Sequence, residues 1–433
     1  MSAAELLNLI DTNGSYAFAA AAANIDAARA RLDGARANLF PRLEGTVSGK
    51  FFESKKSVET RNSDVQSSLE LVQPIYDFGQ TYSRVRAARS DIAAAEERLR
   101  VARHTVLLEG LAVFFDLHVS DLRLHSLNQD HASAYVQWDR AKERLGLGQT
   151  DPVTVAETLA QVEKTRLIYH RERSRNAALR LRLEDLTGTE FSGELIDPPK
   201  PPTRKPVEVD TKILFAFAED RNPEIKALAR RAEALGYQRD GTGIRPRIEA
   251  FGAVGQTTRE SRNRDEWAIG ARMTVPFFDG GAKNAEHAGL SAQFKQVRAE
   301  FEVRRLDLRR QLREAVLTRT DSWQQVIAAS ANKDFLGRRL AKRQRLYEQE
   351  RVADLGPAMI EFSAGEADMV RATGTFFIDS ARLAVLLGEH PSRGLATNFL
   401  GTLLGGKINT KEERFIPKEG TGFGQDDQSK SRR

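Results

Sequence analysis

The sequence repeats itself after about 200 residues, and this repeat restricts the possible folds more than any other feature. Four short segments recur in the same order, at offsets that fall only from 205 to 200 residues along the copy. The matched pairs are PRLE (41–44) with PRIE (246–249), PIYDFG (74–79) with PFFDGG (276–281), RL (144–145) with RL (345–346), and LTG (186–188) with LLG (386–388). Four matches in order predict two tandem copies of one structural unit.

Each copy is expected to contain an alanine-rich helix, a β-hairpin and a long helical hairpin. The first copy covers residues 1–188, with strands at about 42–52 and 63–75 and long helices at about 80–145 and 153–187. The second covers residues 212–390, with strands at about 247–257 and 266–276 and long helices at about 282–349 and 357–388. A proline-rich linker at 189–211 joins them, and the polar tail at 391–433 is expected to be disordered.

The predicted strands alternate between apolar and polar residues. In the first strand, Leu43 and Val47 alternate with Glu44 and Ser48, whereas Phe51 ends the apolar series. Two other strands show the same period of two, and the strand at 248–257 is less regular because Phe251 interrupts it. Such alternation places one face in an apolar medium and the other in a polar one. The strands alone fit a soluble hairpin packed on helices and a membrane strand equally well.

The first long helix of each copy carries apolar residues at alternating spacings of three and four, which is a heptad seam. The seams comprise Val85, Ala88, Ile92, Ala95, Leu99, Ala102 and Val106 in the first copy, and Leu290, Phe294, Val297, Phe301, Leu308, Leu312 and Ala315 in the second. Each helix would span roughly 100 Å at 1.5 Å per residue. Helices of this length do not fit a compact domain. Their matched lengths predict that both hairpin tips end at the same depth.

The composition argues against several classes of function. The net charge of +6 includes +3 from the tail after residue 390, so the body has no basic stripe and nucleic-acid binding is not expected. The absence of cysteine excludes disulfides, thiolate metal sites and a cysteine nucleophile. The histidines are scattered, and neither a phosphate-binding loop nor a serine nucleophile elbow is present. We therefore expect no catalysis, no metal and no cofactor.

The hydropathy pattern bears on how the chain could meet a membrane. No apolar run approaches the ~20 residues of a membrane helix, whereas a membrane strand needs only about ten residues of alternating polarity. The first residues lack a basic segment followed by a strongly apolar one, so no export signal is expected within the chain.

Taken together, these features resemble the TolC or outer membrane efflux protein family over roughly residues 4–390. The resemblance lies in the prolines that begin the strands, Pro41 and Pro246, and in the helix start NPEI at 222–225. It also lies in the two corners between strand and helix and in the turn RLGLG at 144–148.

The resemblance implies a mainly α fold with a β-barrel portion. Three subunits of a homotrimer would each give four strands to a twelve-stranded barrel in outer-membrane lipid, and their helices would form an α-helical tunnel in the periplasm. The implied partners are a periplasmic adaptor and an inner-membrane ABC or proton-driven pump. The implied function is a conduit for efflux of small molecules or for type I secretion of proteins.

The resemblance also suggests functional positions. The corner residues Pro74, Gly79, Pro276 and Gly281 would let the chain turn from strand to helix. The first hairpin tip would dock on the adaptor through Leu145, Leu147 and Gly148. At the second tip Glu350 replaces the glycine of the family, and the gating candidates are Tyr347, Asp354 and Glu361. The alternative for each of the two acids is an exposed turn carboxylate, which the base rates for surface charge favour.

Two other functions remain as alternatives. A periplasmic coiled-coil adaptor or structural protein of a secretion complex also has long helical hairpins, although the doubled hairpins of this chain argue against it. An enzyme would need a convergent polar pocket, and no candidate residues cluster in the sequence. The cargo cannot be read from the sequence, because a tunnel wall only has to be polar.

Overall fold

The computed structural model describes residues 1–13, 16–51, 63–190, 200–203, 205–207, 209–257, 266–349, 355–396 and 398–404. The helices are α1 (Ala3–Asn13), α2 (Tyr16–Ala37), α3 (Gln80–Gly146), α4 (Pro152–Thr187), α5 (Thr211–Glu219), α6 (Pro223–Gly241), α7 (Ala282–Glu348), α8 (Gly356–Leu386) and α9 (Phe399–Leu404), with a 3-10 helix at Pro391–Leu395. The strands are β1 (Arg42–Phe51), β2 (Ser63–Tyr76), β3 (Arg247–Thr257) and β4 (Trp267–Thr274). Across the described residues, no helix is both long and apolar enough to cross a membrane.

The predicted fold class, mainly helical with a small β portion, is confirmed. Two short helices, α1 and α5, were not predicted. The prediction of a disordered tail is wrong where the tail begins, because residues 391–395 and 399–404 are helical and Phe399 and Leu400 are buried. The segment FLGTLL is apolar enough to pack against the rest of the protein. The prediction failed because the many polar residues after this segment make the average composition of the tail polar. Residues 405–433 lie outside the described part.

The chain divides into two compact units, and each contains pieces of both sequence copies. The sheet unit consists of residues 14–106 and 215–310 and holds the four strands, α2, α6 and the first parts of α3 and α7. The hairpin unit consists of residues 1–13, 107–214 and 311–433 and holds α1, α4, α8, α9 and the rest of α3 and α7. The sequence copies are therefore not the compact units of the fold.

The four strands form one antiparallel sheet in the order β1-β2-β3-β4. The two hairpins pair through β2 and β3, with Leu69 opposite Val254 and Leu71 opposite Gly252. This pairing joins the first copy to the second. It also stabilises both hairpins, because a lone two-stranded hairpin is only marginally stable in water. A bulge between Pro74 and Tyr76 ends the regular register of β2.

Within the sheet unit, the predicted seam of α3 packs on α2. Val85 and Ala88 are buried against Leu32, and Ala95 is buried against Ile25. The small seam residues let the two helix axes approach closely, as the heptad pattern indicated. The seam therefore joins the two helices that enter and leave the first β-hairpin.

The hairpin unit has an aromatic core between α3, α7 and α8. Phe115 stacks on Phe377, with 6.2 Å between ring centroids, and Trp323 lies 6.0 Å from Phe376. Buried beside them is Arg319, whose Nε donates to Ser380 Oγ at 3.0 Å. Burial lowers the pKa of the Arg319 guanidinium to about 10. The rings of Phe376 and Phe399 lie 5.5 and 5.3 Å from this guanidinium, so α9 helps to cover a buried cation.

Candidate membrane face, corners and hairpin tips

One face of the sheet is apolar, and none of the described residues covers it. The strand register places on this face Leu43, Val47, Val65, Leu69, Leu71, Val254, Trp267, Ile269 and Met273. Their exposure ranges from 46% at Leu69 to 81% at Ile269. Soluble proteins rarely expose so large a contiguous apolar patch, and such a patch marks a surface that contacts an apolar partner or medium.

The opposite face carries cross-strand ion pairs. Lys50 on β1 lies 3.7 Å from Asp64 on β2. Arg272 on β4 lies 3.5 Å from Glu249 on β3 and 3.6 Å from Glu70 on β2. The sheet therefore separates an apolar side from a charged side, which is the division that the alternating sequence predicted.

Phe251, which interrupts the alternation, belongs to the charged face. It is paired with Gly270 across the strands, and a Cβ at Gly270 would lie 3.0 Å from the tip of the Phe251 ring. The ring also lies under Arg272, with 5.3 Å from the guanidinium to the ring centroid. An aromatic residue thus covers a glycine on the neighbouring strand, which compensates for the missing side chain.

The two corners between strand and helix share one hydrogen-bond pattern. Asp77 accepts from the backbone N–H of Gly79 at 3.2 Å and of Thr81 at 2.6 Å. Asp279 accepts from the corresponding N–H groups of Gly281 and Lys283 at 3.0 and 2.8 Å. Both carboxylates therefore cap the start of a long helix.

The predicted corner glycines have the backbone conformation that this turn requires. Gly79 has φ +84° and Gly281 has φ +86°, a region that side chains with a Cβ rarely adopt. Pro74 lies immediately before the β2 bulge, and Pro276 follows the last residues of β4. The direction of the chain changes at these residues in both copies.

The corners differ at one position. Phe78 has φ +55° and is the one non-glycine residue with a positive φ in the described ranges, whereas its counterpart Gly280 has φ +66°. The Phe78 ring packs edge-on against Tyr76, with 4.7 Å between centroids, and Arg245 donates to the Phe78 carbonyl at 2.5 Å. Because a left-handed conformation costs a non-glycine residue about 1–2 kcal/mol, these contacts hold a strained residue in place.

This strain can be measured by comparing two substitutions. Both Phe78→Ala and Phe78→Gly remove the ring, but only glycine relieves the backbone. We expect Phe78→Gly to be more stable than Phe78→Ala by about 0.5–1 kcal/mol, after allowing for the greater freedom of glycine in the unfolded chain. Thermal unfolding of the purified variants measures the difference. Gly280→Ala is the matched control, and it should destabilise the protein; equal stability of the two Phe78 variants would show that this corner is not strained.

The first hairpin tip is held in one conformation by the capped ends of α3 and α4. Gly148, with φ +67°, donates to the Leu145 carbonyl at 3.0 Å, and Gln149 donates to the Arg144 carbonyl at 2.8 Å, which together form a Schellman end for α3. Asp151 accepts from the Thr154 N–H at 2.9 Å and caps α4. This hydrogen bond from the Thr154 N–H lowers the pKa of the Asp151 carboxyl. Leu147, between the two caps, is 72% exposed.

The second hairpin tip is closed by contacts between α7 and α8. Glu361 forms an ion pair with Arg339 at 2.5 Å. This ion pair was not predicted from the sequence. A Cβ at Gly365 would lie 2.6 Å from Leu336, so this glycine lets the two helices approach. Tyr347 is half-exposed in the last turn of α7. Of the gating candidates, Glu361 is thus held in an ion pair and Tyr347 is half-exposed, whereas Asp354 lies outside the described residues.

Comparison with known proteins gives matches for both sequence and fold. Residues 13–189 match the sequence model of the outer membrane efflux protein family. A 276-residue alignment with the outer membrane efflux protein BepC of Brucella suis is 24% identical and covers 61% of this chain and 57% of BepC. The chain therefore spans little more than half the length of that relative.

Solved structures match over a larger part of the chain. The Campylobacter jejuni CmeC outer membrane channel matches with a TM-score of 0.71 and 16% identity, over 92% of this chain and 89% of CmeC. The Vibrio cholerae outer membrane protein VceC matches with a TM-score of 0.66 and 17% identity, over 89% of this chain and 97% of VceC. Residues 13–189 thus match the sequence model of the outer membrane efflux protein family, and about nine tenths of the chain has the fold of these solved outer membrane channels.

Proposed function

We propose that this protein is the subunit of an outer-membrane channel that conducts cargo across the outer membrane and periplasm without catalysing a reaction. The observation that carries the proposal is the sheet with an exposed apolar face and an ion-paired opposite face. In a lipid bilayer the apolar face would lie against acyl chains and the charged face would line an aqueous passage. The family match over residues 13–189 and the channel fold support the same function.

Closure of the sheet gives a reason for several subunits to assemble. The sheet of one subunit leaves β1 and β4 as edges, and unpaired strand edges are not tolerated in lipid. Three subunits would pair these edges into the twelve-stranded barrel that the sequence resemblance implies. A soluble coiled-coil adaptor, the alternative function, gives no reason for the uncovered apolar face.

The proposal is tested with the purified protein in planar lipid bilayers. We expect the protein to be recovered from outer membranes as a trimer and to give discrete ion-conducting steps. A heat-denatured sample, in which the sheet is lost, is the control and should give no steps. Recovery of the protein as a soluble monomer that gives no conductance would refute the function.

We also propose that the first tip binds a periplasmic adaptor, as efflux channels of this family work in multi-component systems. The two caps on either side of Leu147 keep this exposed apolar side chain in a fixed position, so binding would require little ordering of the tip. An inner-membrane pump would complete the assembly. For gating we retain Tyr347, Asp354 and Glu361, with Glu361 acting through its ion pair to Arg339 to hold the second tip together.

A cysteine-free chain makes the docking proposal easy to test. A single Leu147→Cys variant should form a thiol cross-link in cells to one periplasmic protein, identified by mass spectrometry as an adaptor with a long helical hairpin. Leu181→Cys, which is also exposed but lies on α4 away from the tip, is the matched control and should not capture that protein. Capture of the same proteins at both positions would contradict docking at Leu147.

A further inference from the structure

The sheet unit contains a cleft between four helices that neither the sequence motifs nor the proposed channel function explains. Its volume is about 310 Å³, and α2, α3, α6 and α7 all contribute to its lining. We call it the helix cleft and define it by its charged and amide side chains, which are Arg31, Gln80, Arg84, Asp91, Gln238 and Glu286. The volume is at the lower end of the range for sites that bind small molecules.

The acidic and basic side chains that line the helix cleft differ in whether they are already paired. Asp91 already accepts from Arg231 Nη1 at 2.6 Å, and Glu286 accepts from Lys283 Nζ at 2.7 Å. Arg31 and Arg84 have no acidic group within 4 Å in the described part of the chain. The two carboxylates are thus paired with cations outside the lining, whereas the exposed guanidinium groups of Arg31 and Arg84 have no acidic partner in the described residues.

The walls of the helix cleft are fixed by contacts on either side of it. A Cβ at Gly241 would lie 2.7 Å from Ser83 Cβ, so α6 and α3 are in close contact at that point. Farther along the same two helices, Arg86 donates to the Tyr237 hydroxyl at 2.6 Å and lies 4.0 Å from the ring centroid. The cleft therefore exists before any ligand binds, which limits the ordering that binding would require.

We propose that the helix cleft binds a phosphate group through Arg31 and Arg84. A guanidinium presents a planar fork of N–H donors that matches phosphate oxygens, and two forks suit a group that can carry two negative charges. The side-chain amides of Gln80 and Gln238 supply neutral donors at the same place. A protein segment would need a larger surface than this cleft offers.

The position of the cleft along the chain indicates the source of the phosphate. Gln80 is the first residue of α3, one residue after the corner glycine, and Gln238 lies in the last turn of α6 before β3. Glu286 is in the second turn of α7, so each of these residues lies close in sequence to a strand end. A lipid headgroup at the edge of the proposed membrane face is therefore the source that we favour. This choice of source rests on the proposed function, whereas phosphate binding does not.

The test measures binding to the full-length protein in a neutral detergent by isothermal titration calorimetry. The probes are dihexanoylphosphatidylglycerol, its phosphatidylcholine analogue and inorganic phosphate. The variant is Arg31→Gln with Arg84→Gln. The matched control is Arg29→Gln with Arg89→Gln, which removes the same charge from the same two helices outside the cleft.

We expect saturable binding of phosphatidylglycerol that weakens at least tenfold in the cleft variant and changes less than twofold in the control. Binding of the lipid without binding of inorganic phosphate supports a headgroup, and equal binding of both supports a soluble phosphate compound. Equal weakening in the two variants, or no binding of any probe, would overturn the proposal. Bilayer conductance of the same preparations tests the channel function separately, because a channel can conduct with an empty cleft.

Discussion

Replacing Gly394 by alanine is expected to destabilise the hairpin unit by about 3 kcal/mol, which is at the upper end for overpacking. Gly394 lies in the 3-10 helix that follows α8, and a Cβ there would lie 2.4 Å from both the backbone N and Cα of Ala381. Backbone atoms of a buried helix cannot rotate away as the end of a long side chain can. The 3-10 helix would therefore have to separate from α8.

Separation of the 3-10 helix from α8 would also affect the buried guanidinium of Arg319. The 3-10 helix precedes α9, whose Phe399 covers Arg319, and Ser380 beside Gly394 accepts from Arg319 Nε. Movement of the 3-10 helix would expose this part of the core to water. We expect the loss to appear as a lower unfolding temperature and as protease cleavage near residue 394.

The control for Gly394 is a glycine with free space around it. Gly289 lies inside α7, and a Cβ there would meet no atom within 4 Å. Gly289→Ala should stabilise the protein by about 0.5–1 kcal/mol, because alanine favours the helix and has fewer unfolded conformations. If both alanine variants changed stability in the same direction, the close contact at Gly394 would not be the cause.

Those elements whose residues alternate or recur locally could be predicted from the sequence. The seam from Val85 to Val106 identified α3, and the alternation around Leu43 and Val47 identified β1 with its apolar face. The corners were predicted because Asp77 and Asp279 precede glycines in both copies. In each case the residues that predict the element lie within one short segment, so no knowledge of distant contacts is needed.

Features that depend on distant pairs could not be predicted in the same way. The position of Phe251 over Gly270 follows from the β3–β4 register, and the pairing of Glu361 with Arg339 follows from how α7 meets α8. Both involve residues whose own neighbours in sequence give no sign of the partner. The division into two compact units was also not predicted. The repeat divides the sequence between the two copies, whereas β2 of the first copy pairs with β3 of the second and both lie in one unit.

Placing an arginine on the apolar face of the sheet is the second substitution with a large expected effect. Ile269 forms one cross-strand row with Gly252, Leu71 and Leu43, and no part of the described chain covers this row. If the face contacts lipid, Ile269→Arg should cost about 2–4 kcal/mol near the middle of a bilayer. If the face were solvated, an exposed substitution of this kind would change stability by only about 0.5 kcal/mol.

The opposite face provides the matched control. Thr46 is also exposed, and its register with Ser68 puts it on the side that carries the ion pairs of Arg272. We expect Ile269→Arg to deplete the trimer in the outer-membrane fraction at least severalfold, whereas Thr46→Arg should leave its amount nearly unchanged. Because both substitutions add the same charge to a strand, only the medium on each side of the sheet distinguishes them. Equal recovery of the two variants would mean that the exposed apolar face does not contact lipid, and the channel assignment would lose the observation that carries it.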